Sequence, residues 1–217
     1  MKLLGGEPDL PPRTVALTFD DGPGPKTAEL ARLLSAKNIP ATFFILGENV
    51  DQYEEALAQC AHLGHTIALH GFSHEPWLDP QTALAQLDAC AARIARYLPP
   101  VRWFRPPFGQ WPADADVSSK YGAPVGWHAD GGDWRVTFRK NTQGTQALPL
   151  HAPADCVRMI LSQLQPLENR GIVVMHDYAC RQEVHAHGVR PRHIRIVEIA
   201  SLLIAELQKR DVSFAAL

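Results

Sequence analysis

Two acids, Asp20 and Asp21, stand side by side after the apolar run "VALTF" and directly before "GPGP". Neighbouring carboxylates repel and neither favours a strand, so the pair calls for a chemical reason. Downstream, His70 and His74 have the H-x3-H spacing that lets two imidazoles face one metal ion. Two histidines plus one carboxylate leave coordination positions open for water and substrate, as a catalytic zinc requires. One Asp of the pair can then bind the ion while the other acts as a base toward water. A nearby dication lets both stay ionised, and adjacent residues at a strand end point in different directions. Plainer readings stand beside this one. Asp-Gly and Gly-Pro are ordinary turn chemistry, a chain with ten histidines carries some on polar loops, and His62 and His65 compete with the pair as ligands.

Three more residues invite chemistry. His176 follows "IVVM", which puts it at the mouth of a buried strand and leaves it free to be a general acid. Arg105, between Phe104 and Pro106, is a fixed cation able to hold a catalytic carboxylate. Asp133 is a candidate to orient an imidazolium. A satisfied core histidine, a structural ion pair and a loop cap are the respective alternatives.

The elements that must position these groups alternate in type. Strands are predicted over 14–19, 41–46, 66–70, 101–107, 124–130, 171–177 and 212–217. Helices are predicted over 26–38, 52–64, 80–98, 152–167 and 194–210, from apolar residues at helical spacing and from Gly and Pro stops. This rhythm implies an α/β fold, a mostly parallel sheet with helices outside. About seven strands in one domain favour a distorted (β/α) barrel over an open sheet. Ligands in such folds bind at the C-terminal strand ends, where Asp20, Asp21, His70, Arg105 and His176 all fall.

Composition narrows the classes. With 217 residues, 46% of them hydrophobic, the chain supports one sizeable core, and nothing in it resembles a linker, repeat or low-complexity tract. A net charge of −2 argues against nucleic acid or an anionic membrane as partner. No apolar run approaches the ~20 residues of a membrane span, and "MKLLGGEPDLPPR" lacks the apolar core of a signal peptide. A cytoplasmic location is the expectation for this chain as it stands. Cys60, Cys90, Cys156 and Cys180 are widely spaced, which points to isolated thiols rather than a zinc site or disulfide scaffold.

The motifs in their order resemble one family, the polysaccharide deacetylases with a NodB-homology domain (carbohydrate esterase family 4). "TFDDGP" (18–23), "HGFSH" (70–74), "RPPFG" (105–109), "DW" (133–134) and "VMH" (174–176) match its five motifs, over about residues 12–217. Residues 1–11 are then an N-terminal extension. The resemblance implies a distorted (β/α) barrel and hydrolysis of N-acetyl groups on N-acetylglucosamine-containing glycans, with acetate released. It implies Asp20 as base, and Asp21, His70 and His74 as ligands of a divalent metal, usually zinc, with cobalt or nickel as alternatives. It further implies Arg105 positioning the base, the Phe108 N–H facing the oxyanion, Asp133 tuning the acid His176, and Trp134 and Val174 walling the acetyl pocket. Two positions depart from the pattern. Gly71 replaces the usual Ser or Thr and removes a hydroxyl that could brace the second motif. Val174 replaces Leu. The loop 178–193, with His185, His187 and His193, is placed to overhang the site or to be a polar surface loop. O-acetyl esters such as acetylxylan, another amide, and a non-catalytic glycan-binding domain are the competing readings.

Overall fold

The computed structural model describes residues 10–100, 103–110, 117, 120–122, 124–141, 144–178 and 195–217. Six strands form one sheet: β1 (Thr14–Asp20), β2 (Thr42–Ile45), β3 (Thr66–Leu69), β4 (Ala129–Asp130), β7 (Gly171–His176) and β8 (Ser213–Ala215). Their order is β3-β2-β1-β7-β4, with β8 also on β1, and every pairing is parallel. Among the described residues they are accompanied by the helices α1 (Thr27–Ala36), α2 (Val50–His62), α3 (Pro80–Arg93), α4 (Pro153–Leu164) and α5 (Ile196–Gln208).

Local sequence explains these elements. The buried face of α1 is Thr27, Leu30, Ala31 and Leu34, one stripe at helical period. Asp79 caps α3 by accepting from the Thr82 N–H at 2.9 Å, and Pro80 fills the first turn, where its missing N–H is harmless. After α2, Gly64 takes φ +84°, a conformation that costs glycine little.

The sheet has two different faces because side chains alternate along a strand. Val15, Leu17 and Phe19 of β1, Phe43 and Ile45 of β2, and Val173 and Met175 of β7 pack under the helices in the main core. The opposite face carries Thr18 and Asp20 of β1, Phe44 of β2, and Val174 and His176 of β7. Part of it is a small apolar cluster of Phe44, Ala68 and Val125, with Trp103 and Ile172 against it. The helices bury one face of the sheet, and the chemistry sits on the other.

Three expectations change. Segment 101–107 contributes one parallel bridge, Leu69 to Phe104, and no strand among its described residues; Pro106 and Pro107 have no N–H to continue a ladder. Segment 124–130 contracts to the two residues of β4. It crosses between neighbours: the Val125 N–H donates to the Phe104 carbonyl at 2.8 Å and the His128 N–H to the Ile172 carbonyl at 2.8 Å. It therefore follows neither ladder for long. Among the described residues the sheet has six strands, where about seven are expected. Conversely, β5 (Val136–Asn141) and β6 (Gly144–Pro149) form an antiparallel hairpin that the sequence reading leaves out. Helix α3 is also shorter than expected; a separate 3₁₀ turn, Ala95–Tyr97, follows it.

Candidate active site

The site grows from the end of β1. Asp20 is its last residue and lies in register beside His176 of β7. Asp21 then takes φ +73°, a left-handed conformation that Asp tolerates better than most residues. That single turn separates the two carboxylates. Asp20 stays on the sheet face, and Asp21 swings toward the histidines. The turn is held from outside: the Asn49 Nδ2 donates to the Asp21 carbonyl at 2.8 Å, and the Leu46 N–H donates to the Gly22 carbonyl at 2.8 Å.

Asp21 Oδ1 lies 3.3 Å from His70 Nε2 and 3.4 Å from His74 Nε2. The His70 Nδ1 lies 2.8 Å from the Arg105 carbonyl, which only accepts, so the ring proton sits on Nδ1 and Nε2 keeps its lone pair. A neutral His70 therefore has no proton to give to Asp21, whose Oδ1 is buried without a hydrogen-bond partner. Lone pairs facing one point without a donor are what a cation needs. A tetrahedral ion with bonds of about 2.0–2.1 Å holds neighbouring ligand atoms about 3.3–3.4 Å apart, which the two distances match. Burial raises the Asp21 carboxyl, but the positive charge that His74 and His70 carry when protonated outweighs it and brings the group down to about 2. Burial pushes the His74 imidazole below its usual value, against the pull of Asp21. Among the described residues, this triad is the one group of three such side chains close enough to share an ion. Neither competing histidine joins it; His65 Nε2 instead faces the Ala31 carbonyl at 3.0 Å.

Beside the triad lies an ion pair. Arg105 is fully buried and its Nη1 donates to Asp20 Oδ1 at 2.6 Å. The same guanidinium donates to Thr18 Oγ1 at 2.9 Å, to the Val125 carbonyl at 3.1 Å and to the Gly126 carbonyl at 3.1 Å. It also lies over the Phe44 ring, 4.2 Å from its centroid.

The third group is His176 with Asp133. The Asp133 Oδ1 is 3.0 Å from His176 Nδ1, and its Oδ2 accepts from the His176 backbone N–H at 2.8 Å. Burial disfavours a charge on His176, but Asp133 more than offsets it and raises the imidazole to about 10. Phe108, half exposed at φ +58°, sets its ring edge-on against His74 with centroids 4.4 Å apart. Trp134 is also exposed, and its Nε1 donates to Asp130 Oδ2 at 3.4 Å. Val174 is buried on the same sheet face as Asp20 and His176.

The structure thus gathers Asp20, Asp21, His70, His74, Arg105, Asp133 and His176 through direct contacts and strand register. It also shows residues that the sequence reading passed over. Asn49 has no sequence signal, because its role is to reach a backbone carbonyl from another loop. Asp177 was visible beside His176; it is buried and accepts from the Thr27 hydroxyl, which in turn accepts from the Gly24 N–H at 2.7 Å. Loop residues 179–193 and Cys180 lie outside the described residues.

Comparison with known proteins adds an independent line. Residues 7–126 match the family model described as polysaccharide deacetylase. A chitooligosaccharide deacetylase from Bradyrhizobium sp. is 31% identical over 208 residues, 91% of this chain and 86% of that protein. A peptidoglycan-N-acetylglucosamine deacetylase from Bacillus cereus is 31% identical over 134 residues, 56% of this chain and 46% of that protein. Among solved structures, a peptidoglycan N-acetylglucosamine deacetylase superposes with a TM-score of 0.75 at 22% identity, over 95% of this chain and 87% of that one.

Proposed function

The chain belongs to the polysaccharide deacetylase family, and from that premise we propose that it is a metal-dependent hydrolase of N-acetyl groups on N-acetylglucosamine-containing glycans. The observation that carries the reading is the convergence of three units on one face of the sheet. These are a carboxylate–imidazole triad, a buried Asp–Arg pair and an imidazole held by an Asp. The fold is read as a distorted barrel, and the bonds from Val125 to Phe104 and from His128 to Ile172, which link the two sides of the sheet, support that.

Asp21, His70 and His74 would hold a divalent ion, zinc by the donor set, which when bound polarises the acetyl carbonyl and makes water more acidic. Asp20 takes the proton of the attacking water. Arg105 holds that carboxylate in place through its Oδ1. The Phe108 N–H faces the developing oxyanion. His176 enters as imidazolium, with Nδ1 engaged by Asp133, and gives its Nε2 proton to the leaving amine. Trp134 and Val174 wall the space for the acetyl methyl group. The products are acetate and a free amine.

Acetate release from chitooligosaccharides, measured on metal-stripped protein with and without added zinc or cobalt, tests this. Metal-restored release is expected. No release by metal-loaded protein would move the substrate to an acetyl ester or another amide, and a silent panel of those would leave a glycan-binding domain.

A further inference from the structure

The loop from His70 to His74 supplies two of the three ligand atoms, so its shape sets their spacing. Gly71 within it has φ +99°, which L side chains rarely adopt. A Cβ there would come 3.1 Å from Trp77 Cζ2 and 3.5 Å from Gln86 Oε1. The space where a Ser or Thr side chain would begin is therefore already bordered by Trp77 and by Gln86 of α3.

Gln86 is engaged at every polar atom of its amide. Its Oε1 accepts from the Phe72 N–H and from the Ser73 N–H, both at 2.9 Å. Its Nε2 donates to Ser73 Oγ at 3.0 Å. The loop's carbonyl side is tied elsewhere: the Gly47 N–H donates to the Gly71 carbonyl at 3.1 Å and the Glu48 N–H to the Phe72 carbonyl at 2.8 Å. Two consecutive N–H groups between the ligand histidines thus depend on one side chain. The helix that carries it is fixed, with Ala83, Leu87 and Cys90 buried in the core. A brace on a rigid helix transmits position; one on a loop would not.

We propose that Gln86 is the positioning residue of the ligand loop and supplies from α3 the support that Gly71 cannot give. Gly71 and Gln86 form one device: the glycine lets the backbone turn its amides toward the glutamine. The inference rests on the triad being a metal site and is independent of which acetylated substrate is used.

The test uses the full chain with Gln86→Ala, Gln86→Met and Gln86→Glu. Zinc affinity is read by chelator competition, and exchange of the Phe72 and Ser73 amide hydrogens is read by NMR on zinc-free protein. Gln86→Ala is expected to weaken zinc binding roughly 10- to 100-fold, as loss of a ligand's outer support does. Exchange at both amides should quicken by about the same order, since their acceptor is gone. Gln86→Glu keeps an acceptor oxygen and should stay close to native in both readouts. Gln86→Met, similar in length and apolar, is read in the same way if the alanine variant does not fold. Native zinc affinity with native exchange in the alanine or methionine variant would overturn the proposal. A native chain that takes up zinc but releases no acetate would count against the substrate and leave this comparison intact. A native chain that takes up no divalent ion would overturn the metal reading and the brace together.

Discussion

Arg105 Nη1 lies 2.6 Å from Asp20 Oδ1 with both side chains buried, so the carboxylate proposed as base is held by a cation that water does not reach. Replacing Asp20 by Asn keeps the shape and removes the proton acceptor. The expected outcome is unchanged zinc affinity with turnover lower by roughly 100- to 10,000-fold. Acetate release and zinc titration on the same preparation measure both halves. Full activity in Asp20→Asn would sink the assignment of the base.

The same pair predicts a stability effect. Arg105→Leu leaves the Asp20 carboxylate buried and uncompensated, and breaking such a pair costs about 3–5 kcal/mol. Arg105→Leu combined with Asp20→Asn removes the stranded charge and should recover part of that loss. Denaturant unfolding of the two variants decides; equal losses would show that the guanidinium acts through Thr18 and the backbone carbonyls instead.

Much of this arrangement was legible in the sequence, and the limits have physical causes. The apolar runs ending in Asp20, His70 and His176 announce buried strands whose ends carry chemistry, because few other patterns combine those types. The contact of Arg105 with Asp20 could be expected only by function, since 85 positions separate them and no local rule links them. Segment 101–107 reads as a strand by composition, but its prolines and the crossing of 124–130 leave one bridge. The β5–β6 hairpin was missed because "VTFRKNTQGTQALP" mixes polar and apolar residues without clean alternation. Gln86 was invisible: a glutamine on a helix is ordinary until the loop above it is known.

His176 carries a pH prediction. Its imidazole is raised from the ordinary 6.5 to about 10; burial opposes the charge and Asp133 overrides it. A raised histidine contributes stability that is fully present below about 6.5 and lost as pH rises through about 10. In Asp133→Asn, burial acts without that opposition, so the imidazole becomes neutral at lower pH. The alkaline limb of kcat/KM should move down by several pH units, and the fall in stability over that window should flatten. A limb left in place would mean that the proton donor lies elsewhere.

Metal removal separates the triad from the rest of the site. His74→Ala deletes one of three ligand atoms and should lose both zinc and turnover, in contrast to Asp20→Asn. Zinc at 100 times its Kd should stabilise the native chain by about 2.7 kcal/mol and stabilise His74→Ala far less. Thermal unfolding with and without zinc reads this. An equal zinc-induced rise in Tm in the variant would place the ion away from Asp21, His70 and His74.

Gly22 shows how closely the carboxylate turn is packed. A Cβ on Gly22 would stand 2.5 Å from Asp177 Oδ2 and 2.6 Å from Oδ1, inside any contact that real atoms accept. Asp177 is buried, so its carboxylate has little room to retreat. Gly22→Ala must shift either that carboxylate or the turn whose carbonyl receives the Leu46 N–H, and the turn also carries Asp21. Overpacking of this kind costs about 1–3 kcal/mol, and displacement of Asp21 should weaken zinc binding with it. If the clash with Asp177 is the cause, Gly22→Ala should cost less in an Asp177→Ala background, with a coupling of about 0.5–3 kcal/mol in a double-mutant cycle. Strict additivity would show that the glycine is required by the turn itself and that the buried carboxylate does not set it.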